Sequence, residues 1–224
     1  MVSAFFRGGT FMAESLDFTV ERTGDPLILS VISAGCGPGY EVDSMVCLYK
    51  EGGYGGRIAV EAYDFNTLAI HMAQLGRYMV HNRYNFDGVP AQEIMSSLGF
   101  TVEEKQRDDR KEGTFQVDAS PIREGAQVTI IEHDLSKPLP RKRPAHLILA
   151  NNLLQHLRRP GTVVPVVRNL ASLLADRGVF SIGEPITREA TPEGQVATTL
   201  LQEEFGLEPL FYGPSGQPTM FGRC

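Results

Sequence analysis

Cysteine is scarce in this chain of 224 residues: the three present, Cys36, Cys47 and Cys224, form no CxxC pair. A disulfide scaffold and a zinc ribbon are therefore excluded. Long apolar runs are missing as well. The most apolar stretch, Leu27 to Ala34, already carries two serines and falls far short of the roughly 20 residues that cross a bilayer. No basic-then-apolar leader opens the sequence, so a reducing cytoplasm is the expected compartment, with no insertion into a membrane. An excess of positive charge is also lacking: 21 Lys+Arg stand against 27 Asp+Glu, a formal net charge of −6, which argues against a nucleic-acid partner. The basic run Arg141-Lys142-Arg143 lies between two prolines and reads as a solvated loop. His71, His81, His133, His146 and His156 make no HxxxH or HExxH pair, so no metal site is expected. A G-x-S-x-G elbow and a P-loop are likewise missing.

What is there is ordinary globular composition, 42% apolar and 21% charged, in a length that suits one domain, residues 1–224, with an insertion. Pro26 to Ala34 reads as a buried strand ended by the tight turn Gly35-Cys-Gly-Pro-Gly39. A helix over about Glu41 to Tyr49, a strand over Arg57 to Tyr63 and a helix over Thr67 to Leu75 follow. The alternation returns with strands at Gln127 to Glu132, Ala145 to Ala150 and Gly178 to Gly183, and with a helix over Thr162 to Ala175. Such a βα rhythm predicts an α/β fold, a mostly parallel sheet with helices on both faces. Two segments break it. Between Tyr78 and Gly125 the pattern turns polar, and Glu103 to Glu112 reads as a solvated loop or hairpin. Leu207 to Arg223 reads as two closing strands joined by a turn.

The strongest chemical signal is the strand ending in Ala34-Gly35-Cys36-Gly37-Pro38-Gly39, with Asp64 at the tip of the next strand. Glycines there let the backbone approach a ligand, and a carboxylate at the second tip accepts hydrogen bonds from two ribose hydroxyls. The spacing predicts a nucleoside-bearing cofactor. A dinucleotide is disfavoured, because the third glycine position of G-x-G-x-x-G is Tyr40 and Glu41 beside it would repel a diphosphate. Glu41 suits a ligand with an ammonium group, such as S-adenosylmethionine, which also carries a sulfonium. It equally suits the first turn of a helix, where the macrodipole favours an acid. Cys36 reads as a small apolar residue packed under the ligand.

In these blocks the chain resembles the chemotaxis receptor methyltransferases of the CheR type, within the class I S-adenosylmethionine-dependent methyltransferases. Phe5-Phe6-Arg7 with Phe11 looks like the family's FFR block, and Ser33 to Glu41 with Ser44 like its cofactor loop. Asp64-Phe65 followed by Gly76-Arg77-Tyr78 matches the strand-two acid and the G-x-Y after it. Val128 to Leu135 is similar to the adenine-facing block, and His146 to Leu153 to the block ending in Arg-Asn. Arg177-Gly178 with Phe180 to Gly183 resembles the strand after the last long helix.

The resemblance implies a Rossmann-like class I methyltransferase fold in which residues 79–125 form a small inserted β-subdomain. It implies that Ala34, Gly35 and Gly39 border the methionine moiety of S-adenosylmethionine and that Glu41 holds its ammonium. Asp64 would take the ribose hydroxyls with Phe65 beside it, and Asp134 the adenine amino group with Leu135 beside it. Asn152 and Leu153 would lie under the sulfur end. Arg7 would reach into the pocket to pair with a carboxylate, and Tyr78 and His156 would stand on the acceptor side, although Tyr78 equally suits packing. The chain starts at the FFR block, so the family's N-terminal helical domain is expected to be absent from it. Ser3, Asn151 and His156 replace the family's Thr, Arg and Tyr, changes that cluster on the acceptor side. A carboxylate acceptor is favoured, since it is ionised at neutral pH and needs no general base. The alternatives are O- or N-methylation of a small molecule, with His156 or His133 as base, and a non-catalytic binding module that docks a partner through residues 79–125.

Overall fold

The apolar run ahead of the glycine turn forms the central strand β1 (Ile28–Ala34), and its burial on both faces explains why apolar residues run on rather than alternate. The computed structural model describes residues 9–81, 85–86, 89–104, 114–141, 143–151, 153–157, 160–183, 192–213 and 216–223. Helix α1 (Gly9–Thr23) precedes β1, and α2 (Tyr40–Glu51), β2 (Arg57–Asp64) and α3 (Thr67–Leu75) follow it. The chain then makes an excursion through β3 (Arg77–His81), the short β4 (Asn85–Phe86) and β5 (Val89–Pro90), and α4 (Ala91–Ser97). It returns through β6 (Thr101–Glu104), β7 (Thr114–Asp118) and the single turn α5 (Ser120–Arg123). β8 (Gln127–Glu132), β9 (Ala145–Leu149), a 3₁₀ turn at Leu154–His156, α6 (Pro160–Ala171) and β10 (Leu174–Ser181) resume the alternation. Helix α7 (Pro192–Thr199), a π-helical turn at Leu200–Glu204, β11 (Glu208–Tyr212) and β12 (Pro218–Gly222) close it.

Among the described residues the main sheet has seven strands in the order β11-β12-β10-β9-β1-β2-β8. Strands β10 to β8 run parallel, and β12 is antiparallel to both its neighbours. From β1 the chain builds outwards through β2 to β8, then crosses back to β9 on the other side of β1. That reversal opens a crevice at the carboxyl ends of β1 and β9, the place where open α/β sheets bind ligands. On one face Val31, Val60, Leu147 and Leu149 pack with Met12, Leu16, Val42, Val46 and Ile70 from α1, α2 and α3. On the other, Ile32, Tyr63, Ile148 and Phe180 pack with Val163, Val166 and Leu170 of α6 and Ala197 of α7. Each Val or Leu so buried contributes roughly 1.5–3 kcal/mol.

The excursion forms a three-stranded antiparallel sheet, β3-β7-β6, separate from the main one. It matches the small β-subdomain that the resemblance implies; most of the charged stretch 103–112 lies outside the described residues. Two expectations need correction, and one element adds to them. The helix expected over 162–175 ends at Ala171, because Ser172 and Leu173 close onto the carbonyls of Arg168 and Leu170 and Leu174 already pairs with β9. Helix α1 was not read from the sequence. Its inner face carries Ser15 and Thr19, fully buried, whose hydroxyls donate to the carbonyls of Phe11 and Ser15 one turn back and so break the apolar stripe. Arg141, read as solvated, is 4% exposed: it pairs with Glu61 at 3.0 Å and donates to the Ser30 hydroxyl and the Pro144 carbonyl. Among the described residues no helix is long and apolar enough to cross a membrane.

Candidate active site

The turn after β1 is stitched to the end of β2. The amides of Gly35 and Cys36 both donate to the Tyr63 carbonyl, at 2.8 and 3.1 Å, and the amide of Gly37 donates to Asp64 Oδ2 at 2.9 Å. Asp64 Oδ1 accepts from the amide of Asn66, so the β2 tip is fixed while each oxygen keeps a lone pair for a ligand. Gly35 sits at φ +71°, and a Cβ there would stand 2.8 Å from Leu153 Cδ1. The structure therefore brings Gly35 and Leu153, two expected site residues, into contact. Gly39 sits at φ +96° and opens α2; a Cβ there would stand 2.9 Å from both the Ala73 methyl and the Tyr78 hydroxyl. A side chain at either position would be both strained and crowded.

Glu41, in the first turn of α2, points to the crevice at the ends of β1 and β9. Oε1 accepts from the Ser33 hydroxyl at 2.8 Å, and the side chain also accepts from Asn151. Asn151 Oδ1 in turn accepts from the Ser181 hydroxyl at 2.9 Å, so a chain of neutral donors links the tips of β1, β9 and β10. Ser33 and Ser181 are buried. Desolvation pushes the Glu41 carboxyl up to about 7, against the pull of its two hydrogen bonds. Among the described residues no cation pairs with it. A partly ionised, desolvated carboxylate with neutral donors and no counter-charge fits a ligand that brings an ammonium. The Cys36 thiol, between Glu41 and Asp64, is raised strongly by burial and by both carboxylates, which keeps it protonated and unreactive.

Four other expected cofactor residues, Ala34, Phe65, Asp134 and Leu135, lie at the same edge. Ala34 is fully buried at the end of β1. The amide of His133 donates to the Asp64 carbonyl at 2.8 Å, which sets the loop after β8 against the β2 tip. Asp134 Oδ1 accepts from the amide and hydroxyl of Ser136, bonds that hold its carboxyl below the usual range in an exposed turn. Leu135 is buried, and its carbonyl is held by the Asn169 side chain of α6. Phe65 is 79% exposed beside Asp64.

On the acceptor side the structure corrects one expectation. Tyr78 does not face an acceptor. It is 1% exposed and lies beneath the turn, donating to Asp43 Oδ2 at 2.5 Å and accepting from Arg123 Nη2 at 3.1 Å. Desolvation and the Asp43 carboxylate raise its hydroxyl far beyond the reach of a general base. His156 ends the 3₁₀ turn just after Leu153, with an exposed side chain. His133 is half-buried, its ring edge-on to Tyr63. Arg7 and Asn152 lie outside the described residues.

Sequence reasoning placed Ser33 in the cofactor loop and Ser181 in the block after the last long helix without a role for either hydroxyl, missed Asp43, and saw Asn151 only as a departure from the family pattern. Serines at the carboxyl ends of strands otherwise built for burial were the available signal. Among the described residues no cluster of three or more His, Cys, Asp or Glu is arranged to hold a metal ion.

A sheet that reverses its order at β1, a glycine turn at that point and an acid at the next strand tip fit the fold and site of a class I S-adenosylmethionine-dependent methyltransferase. The profile of the family described as CheR methyltransferase, SAM binding domain, matches residues 2–193, and the chain belongs to that family. S-adenosylmethionine is its cofactor. Solved structures agree in fold. The chain is similar to magnesium protoporphyrin IX methyltransferase from Synechocystis, crystallised with S-adenosylmethionine: 15% identity, TM-score 0.54, 96% of this chain and 79% of that one covered. It is also similar to the N-methyltransferase NodS from Bradyrhizobium japonicum, at 12% identity and TM-score 0.52 over 96% and 92% of the two chains. A third is a TehB-like methyltransferase from Corynebacterium glutamicum, at 15% identity and TM-score 0.50 over 95% and 87%. No curated protein matches the chain in sequence.

Proposed function

We propose that this methyltransferase esterifies a carboxylate, and that Glu41 is the residue that holds the cofactor's ammonium. In this reading Ala34, Gly35 and Gly39 border the methionine moiety, Asp64 accepts from the ribose hydroxyls with Phe65 over them, and Asp134 and Leu135 meet the adenine. Leu153 and Asn152 lie at the sulfur end, and Arg7 orients the acceptor. The observation that supports the cofactor placement is the Glu41 carboxylate, desolvated, held by Ser33 and Asn151 and lacking a cation among the described residues.

When bound, S-adenosylmethionine supplies a methyl carbon that the acceptor oxygen attacks in line; the C–S bond breaks, its electron pair stays on sulfur, and S-adenosylhomocysteine and a methyl ester result. The residues of the chain have to align the two partners and exclude water. An ionised carboxylate attacks without a base. The placement of the described titratable groups agrees with that low demand. Tyr78 and Asp43 are engaged with each other and with Arg123, Glu41 faces the cofactor side, and His156 is exposed.

The test is transfer of a labelled methyl group from S-adenosylmethionine to pools of proteins and of small acids, followed by mild base. Release of methanol is expected. A base-stable product would overturn the carboxylate reading and favour O- or N-methylation of a small molecule, for which the exposed His156 beside Leu153 offers a base.

A further inference from the structure

The antiparallel excursion is clasped to the cofactor turn at both of its ends. Its neck closes through the amide of Ala119, which donates to the Gly76 carbonyl at 2.8 Å, and through the Arg77–Asp118 pair at 3.3 Å. Tyr78, on its first strand, and Arg123, on the turn that leaves it, converge on one carboxylate, Asp43, on α2. Asp43 is fully buried and takes two bonds from Arg123, at 2.6 and 2.9 Å, and one from Tyr78. Arg123 also donates to the Ala73 carbonyl at 2.8 Å, at the end of α3.

The other side of this cluster is the cofactor turn. The amide of Asp43 donates to the Gly39 carbonyl at 3.1 Å, the space beside Gly39 is filled by the Tyr78 hydroxyl, and the Tyr78 ring packs on that of Tyr40 at 4.6 Å. Gly39 and Tyr40 therefore rest on residues that belong to the excursion or are held by it, and Glu41 follows them directly on α2. Asp43 is fully buried and Arg123 mostly so, and the two-bond pair with the Tyr78 hydroxyl beside it fixes one geometry; losing a partner leaves a buried carboxylate short of a donor.

We infer that Tyr78, Asp43 and Arg123 are positioning residues which couple the order of the β3-β7-β6 sheet to the occupancy of the cofactor turn. Binding of the cofactor firms the small sheet, and order in that sheet raises the affinity for the cofactor by the same factor, since such coupling is reciprocal. This rests on the cofactor reading of the turn given above.

The experiment is amide hydrogen exchange of the full chain with and without S-adenosylhomocysteine, on the wild type and on Tyr78→Phe, which keeps the ring and removes the hydroxyl. In the wild type, exchange slows at α2 and also at β3 and β7. In Tyr78→Phe the slowing at α2 persists, that at β3 and β7 is lost, and the dissociation constant rises about tenfold. If Tyr78→Phe does not fold, Arg123→Lys, which keeps the charge and loses the paired geometry, gives the same readout. Protection confined to the turn in the wild type, or protection of the small sheet that is unchanged in the variant, overturns the coupling and leaves the cofactor reading standing. A wild type that does not bind S-adenosylhomocysteine overturns the cofactor reading and the coupling with it.

Discussion

Two carboxylates stand two residues apart on the first turns of α2, and burial raises both above their usual range. Asp43 meets a guanidinium in a two-bond pair and a tyrosine hydroxyl, so its charge is satisfied inside the protein. Glu41 meets a serine and an asparagine, neutral groups that steer the carboxylate but do not neutralise it. The same helix end thus carries one acid completed by the fold and one that, in the proposed reading, a ligand's ammonium completes. A buried carboxylate with a cation is evidence of structure; one with only neutral donors is evidence of a site.

The largest expected effect breaks the satisfied half. Arg123→Ala strands Asp43 as a buried, unpaired charge and should cost about 3–5 kcal/mol of folding stability, read by urea unfolding. A loss below about 1 kcal/mol would show that water reaches Asp43 after all.

The unsatisfied half should behave in the opposite way. Glu41→Gln should weaken binding of S-adenosylhomocysteine by about 1.5–3 kcal/mol, the range for a hydrogen bond to a charged group. It should not destabilise the free protein near neutral pH, because the native carboxylate is held against its desolvation. The sign follows from linkage: a carboxyl whose folded pKa is raised binds its proton more tightly folded than unfolded. Stability of the free wild type therefore falls as pH rises from the ordinary carboxylate range to about 7, and the fall flattens in Glu41→Gln. Parallel thermal melts of the two proteins across that window check it; identical curves would mean that Glu41 is well solvated.

The smallest effect sharpens the network. Ser181→Ala removes the donor that orients Asn151 and should weaken cofactor binding by about 0.5–1.5 kcal/mol with little change in turnover at saturation. A drop in turnover at saturation, with binding unchanged, would instead assign Ser181 to the acceptor side.

The main strands and the turn were legible in the sequence because they rest on local signals: apolar runs ended by glycines, with an acid at the next tip. Strand β2 and helix α3 appear within a residue of where periodicity puts them. The difference between Glu41 and Asp43 was not legible, since both suit a helix N-terminus and what separates them is Arg123, 80 residues further on. Tyr78 was misread for the same reason, because its partners come from α2 and α5. Arg141 was misread because a run of basic residues between prolines looks solvated until Glu61 of β2 is brought beneath it. Besides helix α1, whose apolar stripe Ser15 and Thr19 break, it is long-range charge pairing that the chain conceals.

The most direct measurement is a calorimetric titration with S-adenosylhomocysteine across about pH 5 to 8, in buffers of different ionisation heat. The account predicts that affinity weakens as pH falls below about 7, with up to one proton released per ligand bound, as a protonated Glu41 gives up its proton to receive the ammonium. Both the pH dependence and the proton release should be lost in Glu41→Gln. An affinity that is flat with pH in the wild type, and equal in Glu41→Gln, would contradict the assignment of Glu41 and with it the reading of the site.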